Sequence, residues 1–254
     1  MKKWMIAMVV IATLGFAITP KVADLEPCIK IVGDEVSYTK GVPYLGGSRG
    51  PGDIVGQTWY DFQANGSYNQ RIDLDGDGQA HMDWMDLDAA GTTRFCGWNF
   101  RYANGSYYGE TQASPSYSGY VGIDVTRDAA VTDQRTVICY HYDDGTGYYG
   151  WIDLDGGNGW GAWPNTMRTP GVAEHIWPYI AVANNGNIVM VTGDHLVDAH
   201  HGYVTTDEGV TWSSDLFNDD SCATLSQFIR ASENTGSNKM VFVNTSFITD
   251  SVAI

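Results

Sequence analysis

The eight residues 205–212, Thr-Thr-Asp-Glu-Gly-Val-Thr-Trp, constrain the fold of this 254-residue chain more than any other stretch. The Asp207 carboxylate can accept hydrogen bonds from the backbone amides that follow it, and Gly209 can take the positive φ that a tight turn needs. Thr211 and Trp212 then favour re-entry into a strand. The stretch therefore predicts the tip of a β-hairpin.

This stretch resembles the Asp-box, Ser/Thr-x-Asp-x-Gly-x-Thr-Trp, of the sialidase-like, BNR-repeat β-propellers. Thr205, Asp207, Gly209, Thr211 and Trp212 occupy its signature positions, with Thr205 standing where Ser is commoner. The resemblance implies a structural hairpin on the outside of a propeller blade, away from any active site. It therefore implies an architecture and assigns no chemistry.

The composition favours strands and tight turns. The chain has 30 Gly, 15 Tyr and 9 Trp, and much of its acid is Asp placed beside Gly or Asn, which is typical of turns. Its 30 Asp+Glu outnumber its 14 Lys+Arg. Because nucleic acids and anionic membranes are themselves polyanions, this charge disfavours both as partners.

Residues 1–23 predict a signal peptide with its cleavage region. Lys2 and Lys3 form the basic start, an apolar run follows, and Ala17 or Ala23 suits the cleavage site. The alternative is a membrane anchor, but the apolar run is shorter than the ~20 residues that a spanning helix needs. We expect a secreted or cell-surface protein of bacterial type with no membrane span after signal removal.

The cysteines are compatible with two structures. In an exported chain, four cysteines permit two disulfides in any of three pairings. Cys96 and Cys139 lie in apolar runs, so buried free thiols are the alternative for them. The wide spacing argues against a metal knuckle. The four residues are Cys28, Cys96, Cys139 and Cys222.

The chain divides into an irregular lead-in, residues 24–52, and a long strand-and-turn region, residues 53–254. Alternating and aromatic runs separated by Gly, Asn and Asp predict a series of strands in the second part. These are 54–62, 70–74, 80–85, 94–102, 120–125, 136–142, 148–154, 176–182, 188–192, 202–205, 227–231 and 240–244.

Recurring phrases favour a repeat architecture. Residues 59–67 and 98–106 share a Trp-to-Ala-Asn-Gly-Ser phrase, and Ile-Asp-Leu-Asp-Gly occurs at both 72–76 and 152–156. If the first strands hold Ile72, Ile123, Ile180 and Ile229, the period is roughly fifty residues, which suits a four-stranded blade. We therefore predict an all-β fold, a sialidase-like β-propeller of antiparallel blades. A β-sandwich is the alternative.

The predicted strands amount to about three and a half blades. A propeller usually needs more blades to close its ring. We therefore expect residues 53–254 to be an incomplete propeller, part of a longer protein, with an open curved array as the alternative.

Alternating carboxylates suggest a calcium site. Asp73, Asp75 and Asp77 precede Gly78 in the manner of calcium loops, which supply hard oxygen ligands. An EF-hand would require Glu at the twelfth position, where this chain has Trp84. The alternative is a set of solvated hairpin turns.

Residues 194–201 suggest a second metal site. Three histidines and two aspartates offer nitrogen and oxygen ligands of the kind zinc accepts: Asp194, His195, Asp198, His200 and His201. The alternative is a polar surface loop between strands.

Glycoside chemistry needs two carboxylates that flank a sugar. The chain supplies many carboxylates, and no motif distinguishes a catalytic pair among them. The Arg-Ile-Pro phrase of sialidases is absent, as are the nucleophile and phosphate motifs Gly-x-Ser-x-Gly and Gly-x-x-x-x-Gly-Lys. Sequence therefore assigns no catalytic residue. The available carboxylates include Asp83, Asp86, Asp88, Glu110 and Glu174.

Trp151, Trp160 and Trp163 lie in a Gly-rich stretch suited to a rim loop, where indoles can stack on sugar faces. Packing within the blades is the alternative for them. The resulting hypothesis is a ligand-binding propeller for a glycan or a surface protein. The alternatives are a sialidase-like glycoside hydrolase, with part of its active site in missing blades, and a structural envelope repeat.

Overall fold

The structure is a computed structural model, and the chain divides between Val42 and Pro43 into two compact units. All described residues belong to the second unit: 53–60, 63, 69–127, 134–155, 163, 167–194, 196–197, 199–213, 216–219, 222–234, 236–246 and 252–253. For 218–219, 222–226, 245–246 and 252–253 only the backbone is described. The predicted signal peptide and the lead-in lie outside this range.

Fourteen strands form four antiparallel sheets in the described residues, which contain no α-helix. The first sheet has the order β1 (Ile72–Leu74), β2 (Ala80–Leu87), β3 (Arg94–Arg101) and β4 (Thr111–Gln112). The second has β5 (Gly119–Val125), β6 (Thr136–Asp143) and β7 (Tyr148–Leu154). The third has β8 (His175–Val182), β9 (Ile188–Asp194), β10 (Ala199–Thr205) and β11 (Phe217–Asp219). The fourth has β12 (Cys222–Ala231), β13 (Met240–Ser246) and β14 (Val252–Ala253).

The sheets follow one another like the blades of a propeller. Each sheet is built from strands consecutive in sequence, and its first strand lies at one edge. These first strands contact each other in order, β1 with β5, β5 with β8, and β8 with β12. The prediction that Ile72, Ile123, Ile180 and Ile229 mark equivalent first strands is therefore confirmed, as is the all-β fold class.

The core lies between successive blades, so the central strands are buried on both faces. One cluster joins Trp98 and Phe100 of the first blade to Ile123 and Ile138 of the second. The opposite face of β6 packs against the third blade, and a further cluster joins the third blade to the fourth. Full burial of one such side chain contributes roughly 2 kcal/mol. This two-sided burial explains why residues 136–141 are all buried, without an exposed alternate face.

Two cysteines belong to this core. Cys96 and Cys139 are buried free thiols, which confirms the second of the two expectations for them. Burial raises the pKa of Cys96 to about 12, so the thiol is unreactive. Cys28 lies outside the described residues, and only the backbone of Cys222 is described.

The 205–212 turn connects β10 to β11, the third and fourth strands of the third blade. Asp207 Oδ1 accepts from the Thr211 amide at 2.9 Å, and Oδ2 accepts from the Thr211 hydroxyl at 2.7 Å. Thr205 Oγ1 accepts from the Gly209 amide at 2.8 Å, and Gly209 has φ +86°. The predicted hairpin tip is thus present. Thr211 and Trp212, however, precede the strand, which begins only at Phe217.

One sequence prediction about regular structure was wrong. Residues 54–60 of the predicted first strand form no strand, and 61–62 are not described. The Ile-Asp-Leu-Asp phrases also occupy different places: Ile72 lies in a first strand and Ile152 in a third. Trp59 likewise lies in irregular chain, whereas Trp98 lies in β3. The phrases recur because turn chemistry recurs, and they do not mark equivalent blade positions.

The first strands of the second and third blades carry matching irregularities near their start. The register shifts between Gly119 and Gly122 in β5, and between Ile176 and Tyr179 in β8. Inside these bulges Tyr120 has φ +53° and Trp177 has φ +50°. Bulky residues rarely adopt positive φ, and such strained positions concentrate near functional sites.

No helix able to span a bilayer is found within the described residues.

Candidate functional site

A cavity of about 420 Å³ lies beside the first sheet. Irregular chain from 55–58 forms one wall, and the start of β1 with the middle of β2 forms the other. The lining residues are Val55, Gly56, Gln57, Thr58, Gln63, Arg71, Ile72, Met82, Asp83 and Trp84. The cavity thus combines an indole, two amides, a hydroxyl, a guanidinium and a carboxyl group, which is the mixture expected of a small-ligand site.

The wall at 55–58 is fixed against the sheet by specific contacts. The Thr58 hydroxyl donates to the Met85 carbonyl at 2.9 Å, and the Asn99 amide donates to the Val55 carbonyl. Gly56 lies directly on the Trp84 indole, where an added Cβ would come within 2.1 Å of the ring. Glycine is therefore required at residue 56 for this close approach. The residues of this wall form no regular secondary structure, but these contacts fix their positions against the sheet.

The ion pair of Arg71 and Asp83 forms the floor of this cavity, and its two members make few hydrogen bonds to other residues. Arg71 Nη1 lies 3.7 Å from Asp83 Oδ1, and Arg71 Nη2 donates to the Gln63 carbonyl. The Asp83 side chain is wholly buried, and neither of its oxygens accepts a hydrogen bond from any described residue. Burial raises the pKa of Asp83 to about 7, against the opposing effect of Arg71. Asp83 therefore lacks the hydrogen bonds that a buried carboxyl group normally accepts, and it can hold a proton near neutral pH.

A second acid pair lies next to the cavity wall. The carboxyl groups of Asp86, in β2, and Glu110, before β4, lie next to each other. Partial burial together with this neighbour raises the pKa of Glu110 to about 7. The backbone amide of Gln57, in the cavity wall, donates to Glu110 Oε2 at 3.3 Å. Two carboxyls in contact cannot both ionise easily, so this pair holds one proton near neutral pH.

The other carboxylates considered for glycoside chemistry lie apart from the cavity lining. Asp88 caps the turn after β2, accepting from the Thr92 amide at 2.8 Å and from the Thr92 hydroxyl at 3.0 Å. Glu174 precedes β8, where its amide donates to the Tyr148 carbonyl at 2.7 Å. Of these five carboxylates, Asp83, Asp86 and Glu110 lie in one region, at or beside the cavity.

The three aspartates of the calcium prediction serve separate partners. Asp73 pairs with Arg127 Nη2 at 2.5 Å, and Asp75 accepts from the Asp77 and Gln79 amides at 3.0 and 2.9 Å. Asp77 is exposed in the turn. Calcium binding at these residues stays a prediction, since the carboxylates do not converge in the structure.

The tryptophans of the ligand prediction lie in the aromatic packing between the first two blades. Trp163 meets Trp98 edge-on with ring centroids 5.9 Å apart. Trp151 packs edge-on to Tyr142, whose carbonyl accepts from its indole at 3.3 Å. Trp151 and Trp163 are half-buried, which leaves part of each ring accessible, and Trp160 lies outside the described residues. A role for them in stacking on sugars is untested.

The histidines at residues 194–201 separate across their sheet. Because side chains alternate along β10, His200 faces Phe242 of the fourth blade while His201 stacks on His175 of β8. His195 and Asp198 lie outside the described residues. Asp194 and His201 come together with His175, which the sequence reasoning had not included.

Sequence reasoning missed the contacts that define the cavity. Arg71 and Asp83 belong to different strands, and Glu110 reaches Asp86 from a loop 24 residues later in the chain. One signal was available: Asp83 and Asp86 interrupt the apolar run of β2, and carboxylates inside a buried strand are unusual. That signal identifies them as candidates but names no partner.

The comparisons with known proteins are limited to fold resemblance. No family model matches the chain, and no curated protein matches it. Among the solved structures, the Hadza microbial sialidase Hz136 superimposes with a TM-score of 0.46 and 12% sequence identity. The alignment covers 69% of this chain and 39% of that chain. The chain thus spans less than two thirds of the length of this structural neighbour.

Proposed function

We propose that this chain is a carbohydrate-binding β-propeller module that takes its ligand in the cavity between residues 55–58 and the first sheet. The observation that carries the proposal is Asp83, a wholly buried carboxyl group at the cavity wall whose two oxygens accept no hydrogen bond from a described residue. Buried polar groups are normally hydrogen-bonded, and a ligand hydroxyl would supply the hydrogen bond that the Asp83 carboxyl group lacks.

The lining is mostly apolar surface with a few polar groups, a mixture that suits a ligand presenting both apolar faces and hydroxyl groups. Gln57, Gln63 and Thr58 offer both donors and acceptors, Arg71 offers donors, and the Trp84 indole offers an apolar face. Sugars present hydroxyl groups around apolar C–H faces, so they match this combination. The predicted signal peptide at residues 1–23 supports an extracellular glycan as the ligand, with a surface protein as the alternative.

A sialidase-like glycoside hydrolase is the second candidate, and the Asp86–Glu110 pair favours it. A carboxyl group that keeps its proton near pH 7 is the general acid that glycoside hydrolysis requires. The two carboxyls contact each other, which does not suit the roughly 5 Å separation of retaining enzymes with a carboxylate nucleophile, whereas sialidases use a tyrosine nucleophile instead. The pair therefore supplies an acid, but nothing among the described residues assigns a tyrosine nucleophile opposite it, and binding without turnover is the better-supported function.

The test is a glycan array probed with the purified full-length exported protein, followed by titration calorimetry on the glycans that bind. The variant Gln57→Ala removes an exposed amide from the cavity wall, and Gln112→Ala removes an exposed amide from β4 of the same sheet. We expect Gln57→Ala to weaken glycan binding about tenfold, since one hydrogen bond is lost, and Gln112→Ala to leave it unchanged. Equal affinities in the two variants, or an array without a bound glycan, would contradict the proposal.

Fluorogenic sialosides, galactosides and glucosides distinguish the two candidates. Turnover that disappears in Glu110→Gln, with the fold retained by circular dichroism, would establish the hydrolase and overturn the non-catalytic proposal. Binding with no turnover across the panel is the expected result.

A further inference from the structure

We propose that His175, Asp194 and His201 form a binding site for a divalent transition-metal ion of the zinc type at one end of the third blade. One ligand atom from each side chain lies within 4.8 Å of the other two. Two imidazoles and one carboxylate are donors that zinc accepts, with a fourth position left for water. This site is separate from the cavity of the first blade and does not depend on the proposed glycan binding.

The sheet brings the three ligands together from three neighbouring strands. His175 begins β8 and lies opposite Asp194, the last residue of β9, in the ladder. Asp194 lies opposite Ala199 of β10, so His201 is two residues further along on the same face. Ligands on paired strands are held more precisely than ligands on loops.

The rings are already close and largely shielded from water. The His175 and His201 rings stack with centroids 3.9 Å apart, and His175 Nε2 lies 3.6 Å from Asp194 Oδ2. The His175 and Asp194 side chains are 11% and 16% exposed. Tetrahedral zinc would bring the ligand atoms to about 3.3 Å from one another, which requires the two stacked rings to rotate until their lone pairs converge on the ion.

Tyr203 supplies the outer contact that a metal-binding histidine usually has. Its hydroxyl hydrogen-bonds to His175 Nδ1. When Nδ1–H donates to this oxygen, the lone pair of His175 falls on Nε2, which is the nitrogen that faces Asp194. Such partners fix the tautomer and orientation of the ligand, and their loss typically weakens metal binding 10- to 100-fold. Tyr203 is thus a positioning residue for the site.

The matched variants for the test are Asp194→Asn and Asp143→Asn. Asp194 Oδ1 caps its turn by accepting from the Leu196 amide at 2.9 Å, and Asn keeps that oxygen while removing the charge. Asp143 ends β6 of the preceding blade and caps its turn in the same way, accepting from the Gly145 amide at 2.8 Å. The two substitutions therefore make the same chemical change at two strand ends, and only one of them touches the proposed site.

The experiment is equilibrium dialysis of the full-length protein, freed of metal with EDTA, against ZnCl₂, with bound zinc measured by mass spectrometry. We expect one zinc per chain in the unmodified protein and in Asp143→Asn. We expect at least tenfold weaker binding in Asp194→Asn, and weaker binding in Tyr203→Phe with an unchanged melting temperature in EDTA. Zinc affinity that is the same in Asp194→Asn as in Asp143→Asn would overturn the proposal.

A spectroscopic measurement on the unmodified protein keeps the test decisive if a variant fails to fold. Cobalt bound at this site should give the visible spectrum of a nitrogen- and oxygen-ligated ion. A thiolate-to-cobalt charge-transfer band would assign the metal to cysteines instead, and the absence of stoichiometric cobalt binding would also contradict the site.

Discussion

Two aspartates of this chain, one in a turn and one in a strand, have opposite environments. Asp207, in the 205–212 turn, is exposed, and the Thr211 amide and hydroxyl and the Thr205 hydroxyl all donate to its oxygens. These bonds lower the pKa of Asp207 below its ordinary value. Asp83, at the first-blade cavity, is buried, accepts no hydrogen bond from a described residue, and has its pKa raised to about 7.

The difference separates a structural site from a candidate binding site. The Asp207 oxygens accept hydrogen bonds from residues of the turn itself, so this carboxylate holds the turn that joins two strands. Asp83 is stabilised only by Arg71 at 3.7 Å, and burying it costs folding free energy. A protein retains such an arrangement where the group is needed for binding or catalysis.

The largest effect is expected from Arg71→Met, which leaves Asp83 buried without its cation. Breaking a buried ion pair on one side typically costs 3–5 kcal/mol, so we expect the free energy of unfolding at pH 7 to fall by about 4 kcal/mol in urea titrations. Arg101→Met is the control, because Arg101 lies on β3 of the same sheet and forms no ion pair among the described residues. The double variant Arg71→Met, Asp83→Leu should recover most of the loss. A loss equal to that of the control would show that the pair is not what stabilises this wall.

The next effect is expected in the 205–212 turn from Gly209→Ala. Gly209 has φ +86°, and an added Cβ would meet Arg168 Cβ at 2.8 Å and Ile152 Cδ1 at 3.0 Å. Strain and clash together should cost about 3 kcal/mol. Gly171→Ala isolates the strain, since Gly171 has φ +78° with nothing within 4 Å, and should cost about 1 kcal/mol. Equal losses in the two variants would mean that the turn does not pack on the second blade.

A smaller effect is expected in how stability depends on pH, where Asp83 and Asp207 should act with opposite signs. Folded Asp83 keeps its proton to about pH 7, whereas the ordinary pKa is 3.8, so its contribution to stability falls as the pH rises between these values. The effect of Asp83→Asn on stability should therefore be more favourable at pH 7.5 than at pH 4 by about 2 kcal/mol, whatever constant cost comes from leaving Arg71 without its partner, against a limit of about 4 kcal/mol for three pKa units.

Asp207→Asn should behave in the reverse way. The folded pKa of Asp207 is lowered, so its stabilisation is complete above pH 3.8 and is lost as the pH falls through the folded value. The substitution should lower the melting temperature at pH 7 and lose its effect in acid. Thermal unfolding at pH 3, 4, 5.5 and 7.5 measures both variants, and parallel pH profiles would refute the comparison.

The smallest effect is expected from Asp77→Ala, which bears on the calcium prediction. The Asp77 side chain is exposed, so stability without added metal should change by less than about 0.5 kcal/mol. Melting curves with 5 mM EDTA and with excess CaCl₂ measure any calcium effect. A calcium-dependent rise in melting temperature that Asp77→Ala abolishes would establish a site that the turn does not preform; no rise in either protein would remove the prediction.

Local chemistry was readable from the sequence where neighbouring residues decide the structure. The turn at Asp207 and Gly209 is closed by bonds within eight residues, and the Asn-Gly turn after β3 is equally local. Prediction failed where packing decides: residues 54–60 have strand-like composition, but they are held as irregular chain by contacts to Met85 and Asn99. Similar phrases at Ile72 and Ile152 likewise fall on different strands, because a turn motif does not encode its place in a blade.

The sequence by itself determined the all-β class, most of the longer strands and the 205–212 turn, since periodicity and turn residues act over short distances along the chain. Only the tertiary structure decided which side chains meet. Arg71 with Asp83, Asp86 with Glu110, and His175 with His201 are each joined by sheet pairing or by packing of irregular chain on a sheet. Their proximity, and the burial that raises the pKa of Asp83, depend on that packing and leave no local pattern in the sequence.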